Sequence, residues 1–188
     1  MIINSNKEFD NLLLEEYQKH SKYHWVPFEI AHKCGNIFKA NNCKFIADIG
    51  SGVGKFTLLA RQVHKAKYIG IELRKNLFTE SRRLNERLQL DCYFINSNSI
   101  EISLSHFDGI FYYNPFCEQE AIDGCIDLEI DLSPDLFNAY NDDVIEKLDA
   151  MKSNSILITY KSPYFEPPHS FKAIDILPEN EMVVWKKS

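Results

Sequence analysis

Between residues 45 and 160 the chain alternates short apolar runs with longer stretches in which apolar residues recur every three or four positions. The short runs are Phe45–Ile49, Lys67–Glu72, Cys92–Ile95, Phe107–Tyr113 and Ser155–Tyr160, each of strand length. The periodic stretches Phe56–Val63, Leu77–Leu88 and Leu136–Met151 predict helices, the second with Glu80, Arg83 and Arg87 on its polar side. Strands alternating with helices predict a parallel sheet with right-handed crossovers. Runs apolar at nearly every position suit strands covered on both faces.

The two ends differ from this middle. Ile30, Ala31, Cys34, Ile37 and Phe38 mark one face of a helix that stops at Asn41-Asn42. Leu12, Leu13, Leu14 and Tyr17 place further helical structure ahead of a turn at Tyr23-His24-Trp25-Val26-Pro27. After Tyr160 come Pro163, Pro167, Pro168 and Pro178, with no room for a full helix. Phe171–Leu177 and Met182–Trp185 are separated by only four residues, which suits an antiparallel hairpin. The expectation is an α/β protein: a three-layer sandwich around a seven-stranded, mostly parallel sheet with a C-terminal antiparallel hairpin, preceded by N-terminal helices. One domain is expected over 1–188, with a helical segment at 1–42 and the core at 43–188.

Composition narrows the function classes. The 188 residues are 45% hydrophobic and 26% charged, an ordinary globular balance. The net charge of −6 argues mildly against a broad phosphate-binding surface. Cys34, Cys43, Cys92, Cys117 and Cys125 are odd in number and show no CxxC spacing, so reduced thiols packed as small apolar groups are expected. The six His show no metal-ligand spacing, and His64, His106 and His169 read as surface residues. Lys7, Glu8 and Asp10 interrupt the N-terminus before any apolar run could form, and no stretch approaches a membrane span. A cytoplasmic protein without a membrane partner is expected.

The chemistry concentrates at Asp48-Ile49-Gly50-Ser51-Gly52-Val53-Gly54, between the first core strand and its helix. Glycines there let the backbone turn sharply and let a ligand touch main-chain atoms. Dinucleotide-binding proteins use the same device, so the glycines alone leave the ligand open. The spacing is GxGxG rather than GxGxxG, which keeps the third glycine where the chain still hugs the ligand. Asp48 sits two residues ahead of Gly50, an unfavourable place for a carboxylate beside a pyrophosphate. A ligand with an amino group and a sulfonium would favour it. Glu72 ends the second strand, where a carboxylate can accept both hydroxyls of a ribose.

FIADIGSGVG (Phe45 to Gly54) together with YIGIE (Tyr68 to Glu72) resembles motifs I and II of the class I, Rossmann-like, S-adenosylmethionine-dependent methyltransferases. The resemblance covers roughly residues 25 to 186 and implies S-adenosylmethionine as cofactor. It implies that Asp48 engages the methionine part, that the backbone of Gly50, Ser51, Gly52 and Gly54 approaches the cofactor, and that Glu72, with Leu73 beside it, binds the ribose. Asn98, next to Ser99, falls where the family often has an Asp on the adenine amine. The side-chain oxygen of Asn98 can accept the same hydrogen bond.

Tyr112-Tyr113-Asn114-Pro115-Phe116 follows the fourth strand, and ligands of open parallel sheets bind beyond the strands' carboxyl ends. The stretch resembles the NPPY-type motif of nitrogen-directed methyltransferases, with one proline missing. The resemblance implies that Asn114 orients the nucleophile and also borders the cofactor, and that Phe116 flanks the nucleophile. The GSGVGK loop, the GIE strand end and this aromatic stretch are also similar to the catalytic core of the non-SET histone lysine methyltransferases, and small bacterial methyltransferases share the look. The resemblance implies that Tyr23, Trp25 and Pro27 either cover the cofactor or simply pack, and Lys161-Ser162-Pro163-Tyr164-Phe165 is a candidate substrate loop. The expected activity is methyl transfer, with no general base evident. The acceptor stays open among protein, small molecule and, less favoured by the charge, nucleic acid. Two rival readings are a non-catalytic S-adenosylmethionine-binding subunit or sensor and a nicotinamide-dependent oxidoreductase, the second disfavoured by Asp48 and the GxGxG spacing.

Overall fold

A computed structural model describes residues 1–119, 126, 127, 130 and 132–188, so Cys125 lies outside the described residues. The five apolar runs form the parallel strands β1 (Phe45–Ile49), β2 (Lys67–Glu72), β3 (Tyr93–Asn96), β4 (Gly109–Tyr112) and β5 (Ile156–Tyr160). β6 (Phe171–Leu177) and β7 (Met182–Lys187) form the closing hairpin. Strand order is β3-β2-β1-β4-β5-β7-β6. The last strand doubles back to pair antiparallel with both β5 and β6. The chain leaves β1 towards β2 and β3, then returns to β4 on the other side. That reversal opens a crevice at the carboxyl ends of β1 and β4.

Alternate residues of each strand feed two cores. Ile46, Phe111, Ile156 and Ile158 face the layer that holds α3 (Phe28–Ala40), α4 (Lys55–Val63) and α5 (Lys75–Leu88). Phe56 of α4 stacks on Phe111 with ring centres 3.8 Å apart. Ala47, Ile49, Ile110 and Leu157 face the opposite layer, where α6 (Pro134–Asp149) contributes Val144 and Leu148. Ser133 starts α6 by accepting the Asp135 N–H, with Pro134 at the first helical position. Cys34, Cys43 and Cys92 are free and buried, and Cys117 is free and half-buried. Among the described residues, no helix is long and apolar enough to cross a membrane.

Three expectations change. The edge strand β3 leaves Tyr93 and Ile95 exposed, because among the described residues no strand pairs with its outer edge. His64 is buried rather than on the surface, sharing a hydrogen bond of 3.2 Å between Nδ1 and the Tyr68 hydroxyl. Glu80 does not lie on a polar face: it is buried, because the N-terminal segment packs over that side of α5. Its carboxylate accepts the Leu14 N–H at 3.1 Å and pairs with Arg83, which also donates to the Leu12 carbonyl.

A second clamp holds the short helices α1 (Asn6–Asp10) and α2 (Glu15–Gln18) to the core. Lys55, directly after the glycine loop, turns away from the crevice and is buried. Its ammonium meets Asp10 at 3.0 Å and lies 5.3 Å from the Phe9 ring centre. Burial pulls the Lys55 pKa down, and Asp10 opposes that shift. Asp10 is partly exposed, so the two partners are not equivalent. Asp10→Ala strands a buried cation and is expected to cost about 3 kcal/mol. Lys55→Met leaves a carboxylate that water can reach and is expected to cost less than about 1 kcal/mol. Urea unfolding of the two variants checks this ordering; equal losses would contradict it.

Candidate functional site

The crevice holds a cavity of about 360 Å³, within the size range of small-molecule sites. Its floor is the glycine loop. Gly50 and Gly52 have φ of 68° and 55°, the left-handed region that side chains avoid. Space forbids a side chain as well. A Cβ at Gly50 would stand 2.6 Å from Pro115, and one at Gly52 would stand 2.7 Å from the Trp25 ring. The loop therefore presents bare backbone to the cavity between two fixed walls. Gly54 is also left-handed, but it faces Phe94 and Ser81 rather than the cavity.

Glu72 forms the adjoining wall. Its side chain is buried and accepts the Gly52 N–H at 2.7 Å on one oxygen and the Arg74 N–H at 2.8 Å on the other. Each oxygen keeps a further acceptor site, which is what a pair of vicinal hydroxyls requires. Burial pushes the Glu72 pKa up, and the two backbone donors work against that rise. Asn96 fixes the strand end by donating to the carbonyls of Glu72 and Leu73 at 2.9 and 2.8 Å.

Leu73, Ser97, Asn98 and Ser99 continue the wall. The Asn98 oxygen accepts the Ile100 N–H at 3.2 Å, and its amide donates to the Tyr140 hydroxyl at 3.2 Å. Phe116 packs 5.1 Å from the Tyr140 ring, on this same side of the cavity. Asn114 borders the cavity from a left-handed backbone, φ 36°, with its N–H held by the Ser162 hydroxyl at 2.9 Å.

The structure thus brings Gly50, Gly52, Glu72, Leu73, Asn98, Ser99, Asn114 and Phe116 around one cavity. Asp48, Ser51 and Gly54 are not part of its lining. Asp48 points at α4 and accepts the Thr57 hydroxyl at 2.8 Å. The Ser51 hydroxyl is buried without a hydrogen-bond partner, near Gly70.

An ion cluster that pattern reading missed closes the far side. Arg74, buried, pairs with Glu118 and lies 2.9 Å from Asp127, while His24 Nδ1 lies 3.4 Å from Glu118. No local signal marks it, because Arg74 and Glu118 are 44 residues apart in the chain. Lys22, Tyr23, His24 and Trp25 also reach the cavity, and Trp25 is fixed by its indole N–H on the Tyr17 carbonyl at 3.0 Å.

No protein-family model matches the chain, and no curated protein does. Solved structures share its fold. An RNA methyltransferase from Salinibacter ruber in complex with S-adenosyl-L-homocysteine superposes with a TM-score of 0.57 at 15% identity, covering 86% of this chain and 92% of that one. TrmN from Thermus thermophilus gives 0.66 at 14% identity, covering 92% of this chain and 52% of that one. The cyclase SpnF gives 0.55 at 12% identity, covering 77% and 46%. This chain spans about half the length of the last two. It has the Rossmann-like fold of S-adenosylmethionine-dependent methyltransferases, a fold that also carries a cyclase.

Asp48 gives the site a measurable signature. Burial pushes its carboxyl up to about 7, partly opposed by the bonds from Thr57. In the unfolded chain this proton leaves near the ordinary carboxylate range. Folding therefore takes up a proton between about pH 4 and pH 7, and stability falls as pH rises through that window. The contribution lost is on the order of 4 kcal/mol, and above the folded pKa the slope vanishes. Asp48→Asn is expected to flatten the fall between pH 5 and pH 7 in denaturant titrations. An unchanged slope would place the titrating group elsewhere.

Proposed function

We propose that the chain is an S-adenosylmethionine-dependent methyltransferase. The observation that carries this reading is the Glu72 carboxylate, buried at the end of β2 with one free acceptor site on each oxygen, beside a glycine loop too tight for any side chain. Vicinal ribose hydroxyls fit that carboxylate, and the backbone of Gly50 and Gly52 leaves room for the amino-acid part of the cofactor. Asn98 and Ser99, with Leu73 and Phe116, would enclose the adenine.

Held by Glu72 and the backbone of Gly50 and Gly52, the cofactor would supply an electrophilic methyl group for the acceptor's lone pair. The protein's part is alignment and exclusion of water. Asn114 is the candidate orienting group, held in a strained backbone by Ser162 at the cavity's edge. The reading takes nitrogen as the accepting atom, since an amide side chain can accept an N–H and aim its lone pair.

A second reading, a cofactor-binding subunit without turnover, draws on Phe116. Its ring is buried between Tyr112 and Tyr140, at 6.2 and 5.1 Å, rather than standing free to flank an acceptor.

Calorimetry tests the cofactor. S-adenosylhomocysteine is expected to bind, and Glu72→Ala to weaken it about a hundredfold, the loss of two hydrogen bonds to a charged group. NADH is expected to bind more weakly than S-adenosylhomocysteine. Tighter binding of NADH, or no effect of Glu72→Ala, would sink the reading. Transfer of labelled methyl to an acceptor, reduced about a hundredfold by Asn114→Ala, separates the enzyme from the non-catalytic binder.

A further inference from the structure

A second cavity of about 420 Å³ adjoins the first, and the two share Lys22, Trp25, Tyr113 and Lys161 in their walls. Their charge balance differs. Besides the shared lysines, the first carries Glu72 and the paired Arg74 and Glu118. The second is lined by Lys19, Lys22 and Lys161, in a chain whose net charge is −6. Among its described lining residues one is acidic, Asp10, and Lys55 already neutralises that carboxylate at 3.0 Å.

Three features suit a ligand that is both charged and flat. Lys19, Lys22 and Lys161 are exposed, so their ammonium groups remain hydrated and available. The Lys161–Glu181 contact, 3.5 Å between two exposed side chains, is a surface pair that holds Lys161 weakly. Lys161 also has a left-handed backbone, φ 46°, locked by its N–H on the Glu181 carbonyl at 2.9 Å. Left-handed backbone in a non-glycine residue persists where its surroundings fix it, and such residues cluster at functional sites. The same lining includes aromatic rings: Trp25, and Tyr113 tilted against Tyr160 with ring centres 4.8 Å apart. Tyr113 immediately precedes Asn114, so a ring resting on it sits next to the candidate orienting amide.

We infer that the second cavity is the acceptor site and that it takes a small molecule pairing a phosphate or carboxylate with a planar ring. This rests on the methyl-transfer reading for the word acceptor. The donor would then rest on Glu72 and the anionic acceptor among the lysines, with Tyr113 and Trp25 as the shared wall. The cavity's volume suits a molecule of mononucleotide size or smaller.

Phenyl phosphate, benzoate and phenol, titrated separately into the full chain and followed by calorimetry or NMR, test the inference. Phenyl phosphate or benzoate should bind at least tenfold more tightly than phenol, and the difference should shrink with added salt. Lys19 lines the second cavity alone, so Lys19→Glu should weaken the anion at least tenfold while S-adenosylhomocysteine affinity and thermal midpoint stay put. Equal binding of phenol, or an anion affinity indifferent to Lys19→Glu, would overturn the inference. So would a single-stranded oligonucleotide binding more tightly than its mononucleotide. Failure of S-adenosylhomocysteine to bind would instead overturn the methyl-transfer reading and leave the anion result to stand on its own.

Discussion

The Glu72 carboxylate joins three parts of the chain at one point. It receives the Gly52 N–H from the loop after β1 and the Arg74 N–H from the turn into α5, and Asn96 at the end of β3 holds its backbone. A buried carboxylate is costly unless hydrogen-bonded. The fold supplies two backbone donors and leaves one acceptor position open on each oxygen. That knot fixes the floor of the cavity. With the loop held against β2, Gly50 meets Pro115, Gly52 meets Trp25, and no side chain can intervene.

The N-terminal forty residues are part of the site rather than an ornament on it. Trp25 forms a wall of both cavities, and two buried charged groups of the core, Lys55 and Glu80, hold the segment that carries it. Lys55 is instructive because of where it sits. A lysine directly after a glycine-rich loop suggests a phosphate ligand, yet its ammonium turns outward to Asp10 and serves packing. The basic groups that face open space are elsewhere, at Lys19, Lys22 and Lys161.

Most of the architecture was legible in the sequence because a parallel sheet writes itself as apolar runs. The runs at Phe45–Ile49 and Ile156–Tyr160 are buried almost throughout, and the four-residue connection before Met182 did close a hairpin. Glu80 and His64 were misread because periodicity marks a helix's polar side and a histidine's sequence neighbours, not what a distant segment later lays over them. The glycine loop and Glu72 were legible since their spacing is local to one strand–helix–strand unit. Two loop residues mark the limit. Asp48 and Gly54 belong to the motif but serve Thr57 and Phe94 rather than the cavity lining. The Arg74–Glu118–Asp127 cluster was invisible, because only the fold brings those segments together. The basic second chamber was invisible for the same reason: its lysines come from two ends of an acidic chain.

The most direct measurement is a crystal structure of the full chain soaked with S-adenosylhomocysteine. The ribose hydroxyls are expected at about 3 Å from the two Glu72 oxygens, with the homocysteine part over Gly50 and Gly52. Density for the ligand away from Glu72, or a Glu72 side chain turned out of the cavity in the complex, would contradict the assignment of this crevice as the cofactor site.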